Sequence, residues 1–467
     1  MSGLRTIAAG VPAADDRLLR GRLQPGWPLT VALLGFPVWW LLGLANIMLI
    51  LMALPMGMLL WRRRRTLSAP GGFGAWLFFV AWVGLGLVTL WADAPGAEPG
   101  GGLSRLLVFG WRLAWYLSFT VVLLYICNLS ERELPTGKIG RLLGFMFIVT
   151  AVGGLVGSFF PGIQLTSLME VVLPHGLAKN GFIRDIIHPK TAEIATILGF
   201  EQPRPMAPFA YANTWGAAYA FFLPYFIITW IVRARKRRRI TGIVILLASL
   251  WPAVYSLNRG LWGALAVIGL FGLVKLAQVG GTRVLGWAAA ALAVGAVVVA
   301  LSPLPGLVQD RLDNPHSNNR RTLLAEETTR SALTGSPLVG FGSTRDVQGD
   351  LGTVSGGDRP DCKACGSPPL GTQGHLWLLV FAHGVIGTIA FCAFFAVRFA
   401  RHWRDRGAYS LAGCCVLLSC GLFMITYDLV EVPLYTVMIA VALMWRAKRD
   451  LVAGPAPAAA RSAGSFR

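Results

Sequence analysis

The sequence predicts an all-α polytopic membrane protein with about 12 transmembrane helices and one large outward-facing loop. The composition supports this fold class. Hydrophobic residues make up 55% of the 467 residues and charged residues only 14%, whereas about a quarter of the residues of a soluble domain are charged. The apolar residues also occur in long runs, several of which reach the roughly 20 residues that a helix needs to cross a bilayer.

The distribution of charge indicates the orientation of these helices. The net charge is +20, but the basic residues concentrate in the loops on one side of the predicted bundle. The segment 233–239 (RARKRRR) is the strongest cluster, and 398–406 and 446–449 are weaker ones. Loops rich in Lys and Arg normally stay in the cytoplasm. We therefore expect a protein of the cytoplasmic (inner) membrane with both termini in the cytoplasm, whose basic clusters face the lipid bilayer and bind no nucleic acid.

Hydropathy and loop charge together place the elements along the chain. A basic stretch at 17–22 precedes about 34 mostly apolar residues, a run too long for a cleavable signal peptide and predicted to form two short helices with a turn at Asn46. The predicted parts are a cytoplasmic N-terminal segment (1–28), transmembrane helices 1–9 (29–302), an outward loop (303–374), transmembrane helices 10–12 (375–445) and a cytoplasmic tail (446–467). The predicted spans are 29–45, 46–60, 74–91, 106–127, 142–160, 209–232, 240–257, 261–275, 286–302, 375–397, 408–427 and 430–445.

Two long hydrophilic segments face outward in this topology, 161–208 and 303–374. The second contains an amphipathic stretch at 319–333. A single large loop in an otherwise compact bundle is often functional. Cys362 and Cys365 form a CxxC in this loop. Since one pair of cysteines is too few for a tetrahedral zinc site, we expect a local disulfide there.

Two groups of polar residues lie where predicted spans begin or end on the outer side. Arg204 and Asn213 flank the start of the sixth span, and 256–260 (SLNRG) forms the turn between the seventh and eighth spans. Arg259 lies at the predicted outer face of the membrane. Burying its guanidinium there costs free energy unless it contacts water, a partner residue or an anion. Arg259 could be an interfacial anchor, but its place in a tight polar turn favours a functional role.

Two further groups come from the large loop and from the span that follows it. Arg320 and Arg321 begin the amphipathic stretch, and 337–342 (PLVGFG) closes it. His375 lies at the outer end of the tenth span, where an imidazole can exchange a proton near neutral pH. A lone histidine is more often a satisfied polar group than a catalytic base. Its position beside the large loop nevertheless makes His375 the candidate base.

Taken together, these residues resemble the O-antigen ligase and O-antigen polymerase superfamily, whose members have a membrane-embedded glycosyltransferase fold of the C type. Arg204, Phe209 and Asn213 keep the spacing that the family shows at the start of a span. The segment 256–260 is similar to the family's Ser-x-x-Arg-Gly turn, and 337–342 is similar to its Pro-x-x-Gly-x-Gly loop motif.

The resemblance covers most of residues 200–397. It includes a histidine before a Leu-rich helix with Gly-x-x-Gly, here His375 and 384–387. The chain departs from the pattern at Leu376, where the family has Asn, and at Ala382, where it often has Glu. The departure at Leu376 bears on how the histidine is positioned.

The resemblance implies inverting transfer of a whole glycan from a donor linked to a polyprenyl diphosphate, such as undecaprenyl diphosphate, to a hydroxyl of a glycan or lipid acceptor at the outer membrane face. Arginines stabilise the negative charge that develops on a diphosphate leaving group, and a histidine deprotonates the acceptor hydroxyl. No metal or other cofactor is expected. The implied roles are diphosphate binding by Arg204, Arg259 and Arg320 or Arg321, catalysis by His375, and shaping of the site by Asn213, Asn258, Gly260, Gly340 and Gly342.

A transporter or flippase of lipid-linked sugars and a non-catalytic scaffold are the alternatives. Transporters place charged groups near mid-membrane and often show internal repeats, whereas these candidates lie at the outer rim and no repeat is evident. A scaffold would not need three arginines and a histidine at outward ends. Within the enzyme class, polymerisation and ligation of cell-envelope polysaccharide differ in their acceptor. We favour polymerisation, because such enzymes occur in bacteria of every envelope type.

Overall fold

The computed structural model describes residues 24–100, 102–178, 181–196, 201–279, 286, 306, 316–348 and 369–453. In this part of the chain the fold is mostly helical, and eight helices are long and apolar enough to cross a membrane. This confirms the prediction of an all-α polytopic membrane protein in its general form. The helices are α1 (Trp27–Leu34), α2 (Phe36–Leu41), α3 (Ala45–Arg62), α4 (Phe73–Thr89), α5 (Gly102–Asn128), α6 (Thr136–Phe159), α7 (Leu168–Val172), α8 (His175–Ala178), α9 (Gly181–Ile187), α10 (Ala212–Phe226), α11 (Lys236–Tyr255), α12 (Arg259–Val279), α13 (His316–Gly335), α14 (His375–His402), α15 (Ala408–Thr426) and α16 (Val432–Ala453).

The eight candidate spans are α3, α5, α6, α10 with its π-helical continuation Ile227–Val232, and then α11, α12, α14 and α15. Helix α4 is apolar but shorter, with 17 residues. Helix α16 is long, but its last turns carry Arg446, Lys448 and Arg449. The predicted span 286–302 lies outside the described residues except for residue 286, and Cys362 and Cys365 lie outside them altogether.

The first predicted span, 29–45, is interrupted in the structure. Two short helices, α1 and α2, replace one continuous helix. Pro37 stands in the first turn of α2 and has no N–H to donate to the preceding turn, so the helix restarts there. The predicted turn at Asn46 was wrong by a few residues. The chain turns before Ala45, and Asn46 lies in the first turn of α3, buried in the bundle.

The outward segment 161–208 has regular structure that hydropathy did not predict. It contains the short helices α7 to α9 and two antiparallel strands, β1 (Ala192–Thr196) and β2 (Glu201–Pro205). In their register Glu193 is opposite Arg204. The strands were missed because they are short and polar. The amphipathic stretch 319–333 of the second outward segment is a helix, as predicted, and forms α13.

The core lies where α10, α15 and α16 meet α5 and α6. Nearly every residue from Leu434 to Met444 of α16 is buried, as are most residues of α10. Aromatic side chains fill this core in tilted and edge-to-face pairs, for example Phe147 with Phe226 at 4.6 Å between ring centroids. The central helices are therefore rigid supports for the residues at their ends.

Helix α14 is kinked at Gly384, where the backbone has φ 64° and ψ −175°. The segment 337–342 lies against the kink and supplies hydrogen bonds that the helix lacks there. Phe341 N donates to Phe381 O at 2.8 Å, and Val385 N donates to Pro337 O at 2.8 Å. Because backbone polar groups within a membrane need partners, this loop completes the broken helix.

Candidate functional site

Arg204 joins the first two polar groups that the sequence singled out. It lies on β2, and its side chain is only 8% exposed. Its Nε donates to the backbone oxygen of Ser256 at 3.0 Å, and its Nη2 donates to Asn213 Oδ1 at 3.1 Å. The start of α10 and the turn between α11 and α12 are therefore held together by one guanidinium.

Tyr427, which the sequence analysis missed, links the remaining groups. It follows the last residue of α15, and its hydroxyl donates to Asn258 Oδ1 and accepts from Gly260 N at 3.1 Å. The Cζ of Arg321 lies 5.6 Å from the centroid of its ring. The backbone oxygen of Tyr427 accepts a hydrogen bond from His375 N at 2.8 Å. A single residue therefore contacts three groups that are far apart in the sequence.

The turn at 256–260 is built around the side chain of Asn258. Its Oδ1 accepts from Leu261 N at 2.8 Å and thereby caps the start of α12. A Cβ at Gly260 would lie 2.5 Å from the Tyr427 hydroxyl, so this position has room only for glycine. The Nδ2 of Asn258 is buried and has no hydrogen-bond partner in the described part of the structure. It packs on Gly216 of α10, where a Cβ would lie 2.3 Å from it.

Arg321 and the other candidate arginines act on one another electrostatically. Burial lowers the pKa of Arg321, Tyr427 opposes this, and the positive charges of Arg204 and Arg259 lower the pKa further. The Nε of Arg321 donates to Gln373 Oε1 at 3.4 Å. The three arginines therefore lie near one another at one end of the bundle, although their charges repel. Arg320 lies in the same helix, α13, and its side chain is outside the described part of the structure.

His375 is the first residue of α14, as predicted, but its ring is buried with no exposed surface. The ring packs on Phe391 at 5.1 Å between centroids. Its Nδ1 lies 3.7 Å from Oδ1 of Asp428, whose side chain is 45% exposed. We expected the imidazole at the membrane rim. The structure places a carboxylate there instead, with the imidazole next to it in the interior.

Backbone strain also concentrates around these residues. In the described part of the chain, the non-glycine residues with positive φ are Leu257 (51°), Gln373 (65°) and Glu431 (82°). Leu257 precedes Asn258, and Gln373 contacts Arg321. Such conformations cost of order 1–3 kcal/mol each and are common at functional sites. Their distribution is a second, independent sign that this end of the bundle is a site.

Two more charged residues near the site were missed. Arg112, within α5, donates to Ser343 Oγ at 3.3 Å and to Thr344 Oγ1 at 3.2 Å, and its charge interacts with Asp428. Glu431 accepts a hydrogen bond from Asn46 Nδ2 at 2.7 Å. Single polar residues inside or beside apolar runs were the available signal.

Gly340 and Gly342, predicted to shape the site, lie against the backbone of α14 and α4. Both pack on neighbouring backbone: a Cβ at Gly340 would lie 2.6 Å from the carbonyl carbon of Ala382, and one at Gly342 would collide with the carbonyl oxygen of Gly86. They shape the kink of α14, the helix that begins with His375.

Two clefts open beside the arginines. The larger, of about 750 Å³, is lined by Arg321, Thr322, Ala325, Glu326, Thr329, Trp377, Ile425 and Thr426. Ile425 also lines an apolar groove of about 430 Å³ between α14 and α15. The smaller cleft, of about 380 Å³, lies beside β1 and includes Asp185, Lys190, Glu193 and Tyr211. Burial raises the pKa of Asp185, and Lys190 opposes the shift.

The arrangement provides cationic donors, a histidine–carboxylate pair and two clefts, all at one end of the bundle. In the residues that the structure describes, no group of three His, Cys, Asp or Glu side chains could hold a metal ion. The sequence was compared with models of known protein families and with curated proteins, and neither comparison gave a match.

Proposed function

We propose that the protein is a glycosyltransferase that moves a glycan, with inversion, from a polyprenyl-diphosphate donor to an acceptor hydroxyl at the outer face of the cytoplasmic membrane. Polymerisation or ligation of a surface polysaccharide is the process it would serve. The observation that carries the proposal is the convergence on Tyr427, where the arginines that suit a diphosphate meet the histidine–carboxylate pair that suits proton transfer.

The arginines would stabilise the diphosphate leaving group. As the bond between the anomeric carbon and the phosphate oxygen breaks, both bonding electrons go to the diphosphate. Forked, charge-assisted hydrogen bonds stabilise that charge when they are aimed at it in advance. Arg204 is already fixed by Ser256 O and Asn213. Arg204 and Arg259 lie close enough to Arg321 for their charges to lower its pKa, so all three can act on one diphosphate.

The clefts would bind the remaining part of the donor and the acceptor. The apolar groove between α14 and α15 suits a polyprenyl chain, because its lining is apolar and it shares Ile425 with the Arg321 cleft. The smaller cleft offers the carboxylates of Asp185 and Glu193 to sugar hydroxyls. Since Glu193 is opposite Arg204 in the hairpin, an acceptor bound there lies close to the diphosphate.

The base is the pair formed by His375 and Asp428. The carboxylate of Asp428 is exposed and can accept a hydrogen bond from the attacking hydroxyl. The proton would pass first to the Asp428 carboxylate and from there to the buried imidazole of His375, once Nδ1 and Oδ1 close from 3.7 Å to hydrogen-bond distance. The acceptor oxygen then bonds to the anomeric carbon on the face opposite the departing phosphate, which inverts that centre.

The proposal is tested by measuring donor binding and glycan transfer side by side on purified protein in nanodiscs. His375→Gln and Asp428→Asn should each lower turnover by roughly 10²–10⁴-fold, the usual value of positioned proton transfer. Donor binding should change little, because the arginines hold the diphosphate. His175→Gln, a change in an exposed outer-loop histidine, is the matched control and should retain activity.

Two results would contradict the assignment. If both variants lose donor binding in proportion to turnover, the pair belongs to the binding site. If both remain nearly fully active, proton transfer occurs elsewhere, and the loop carboxylates Glu326 and Glu327 are the next candidates.

A further inference from the structure

The end of the bundle opposite the candidate site holds a buried arginine with unused hydrogen-bond donors. Arg398 lies near the end of α14 and is only 2% exposed. Among the residues that the structure describes, its Nε and Nη2 have no hydrogen-bond partner, although its guanidinium lies over the Phe394 ring at 5.8 Å. These two nitrogens form one edge of the guanidinium plane, the edge that binds two oxygens of a phosphate or carboxylate group. Buried donors without partners are costly, so a partner is expected there.

The guanidinium of Arg398 faces the start of another helix. A Cβ at Gly72 would lie 3.0 Å from Nη2 of Arg398, and Gly72 is the N-cap of the 17-residue helix α4. Beside it, Arg401 donates to the backbone oxygen of Gly71 at 2.9 Å. Of the first N–H groups of α4, that of Phe73 donates to Pro70 O at 3.0 Å and that of Ala75 to Gly72 O at 3.2 Å, so the helix dipole and the N–H of Gly74 are what favour a bound anion here. Gly72 is exposed, and a side chain at this N-cap would press on Nη2 of Arg398.

The carboxylates described near this end are already engaged. Glu133 pairs with Arg63 and Glu131 with Arg446. Asp405 accepts from the His402 ring at 2.8 Å. Meanwhile further positive charge lies close by, since Lys448 donates to the backbone oxygen of Arg401 at 3.3 Å. Positive charges outnumber negative charges around Arg398 in the described part of the structure. A bound anion would balance them.

We propose that Arg398 and the N-terminus of α4 form a binding site for a phosphate-type oxyanion. The phosphate of an anionic lipid headgroup and free inorganic phosphate share this chemistry. Bound there, the anion bridges α4 and α14 at the end of the bundle where basic loops cluster. The site is separate from glycan transfer and does not depend on it, because His375 lies at the other end of α14.

The test uses full-length protein purified in phosphate-free detergent. Inorganic phosphate, phosphatidylglycerol or a phosphate-free glycolipid is added, and the Tm and the bound molecules are measured by thermal unfolding and native mass spectrometry. The wild type and the exposed control Arg406→Met should bind a phosphate-bearing molecule and gain Tm. Arg398→Met should lose both responses. Arg398→Lys keeps the charge without the fork and should bind about tenfold more weakly or worse.

The outcomes are distinguishable. A response to inorganic phosphate alone identifies a soluble ligand, and a response to phosphatidylglycerol alone identifies a lipid headgroup. The proposal is overturned if Arg398→Met and Arg398→Lys respond as the wild type does, if the glycolipid acts equally well, or if the wild type binds none of the three. If Arg398→Met does not fold, Arg398→Lys decides the matter, because it keeps the positive charge.

Discussion

Tyr427 shows how much one side chain can organise. Its hydroxyl both donates and accepts, its ring lies against Arg321, and its backbone oxygen accepts from His375 N. A phenol is suited to this position because its rigid ring fixes the place of a polar tip. The candidate site is therefore arranged around a residue that need not touch a substrate.

Arg259 gives the sharpest prediction at this scale. Arg259→Ala should lower glycan transfer by about 10²-fold or more, the usual cost of losing one donor aimed at developing charge, with an unchanged amount of protein in the membrane. Arg259→Lys should restore little, because an ammonium cannot reproduce the planar fork. The readouts are transfer activity and quantitative immunoblotting of membranes.

The control for Arg259 is Arg330→Ala, whose side chain is 71% exposed on α13. It should keep full activity. If Arg259→Lys were as active as the wild type, charge alone would matter at this position. If Arg259→Ala were active, Arg259 would be an interfacial anchor.

The residues of the site were only partly predictable from the sequence. Arg204, Asn213, Asn258 and Arg259 stand at the ends of long apolar runs, where an unexplained polar residue is conspicuous. Tyr427 was not predictable, because its partners are separated from it by long stretches of chain. The burial of the His375 ring was not predictable either, because hydropathy places a residue at a helix end but not the direction of its side chain.

At the scale of elements, the kink in α14 is the notable feature. Gly384 adopts a backbone conformation that is essentially restricted to glycine, and a Cβ there would collide with the carbonyl of Leu338. The motif at 337–342 and the glycine at 384 therefore pack against each other. The sequence predicted both segments as motifs but not their pairing, because nothing in either indicates its partner.

The contact can be tested by Gly384→Ala. We expect a loss of stability of order 1–3 kcal/mol from backbone strain alone, seen as a lower Tm in detergent. The control is Gly110→Ala on α5, where a Cβ would meet open space; its Tm should be unchanged or slightly higher. Equal Tm values for the two variants would mean that the kink tolerates a side chain.

At the scale of the whole molecule, the two ends of the bundle differ in chemistry. The end with Arg204, Arg321 and His375 has clefts and strained backbone, and the other end has basic loops whose carboxylates are paired. The lengths of the apolar runs predicted most of the long helices. They did not predict the break between α1 and α2, because mean hydropathy does not register the effect of one proline on a helix.

The orientation of these ends is the last prediction. In a cysteine-free background, single cysteines at the exposed positions Arg237 and Arg330 report on opposite sides. A membrane-impermeant maleimide should label Arg330→Cys in intact cells and Arg237→Cys only after permeabilisation, because loops rich in Arg and Lys stay in the cytoplasm. The reverse labelling would place the site on the cytoplasmic side and contradict transfer at the outer face.

The position of Tyr427 near the end of the chain has a consequence for biogenesis. Arg204 and the turn at 256–260 are synthesised long before the residue whose hydroxyl binds Asn258 and Gly260 N. During translation, Arg204 can already meet Ser256 and Asn213, whereas Asn258 and Gly260 N enter the membrane without the hydroxyl that they later bind. The site can assemble only when the segment after α15 has left the ribosome and docked against α12 and α14. A chain that stops before Tyr427 would insert its earlier helices and still lack the site.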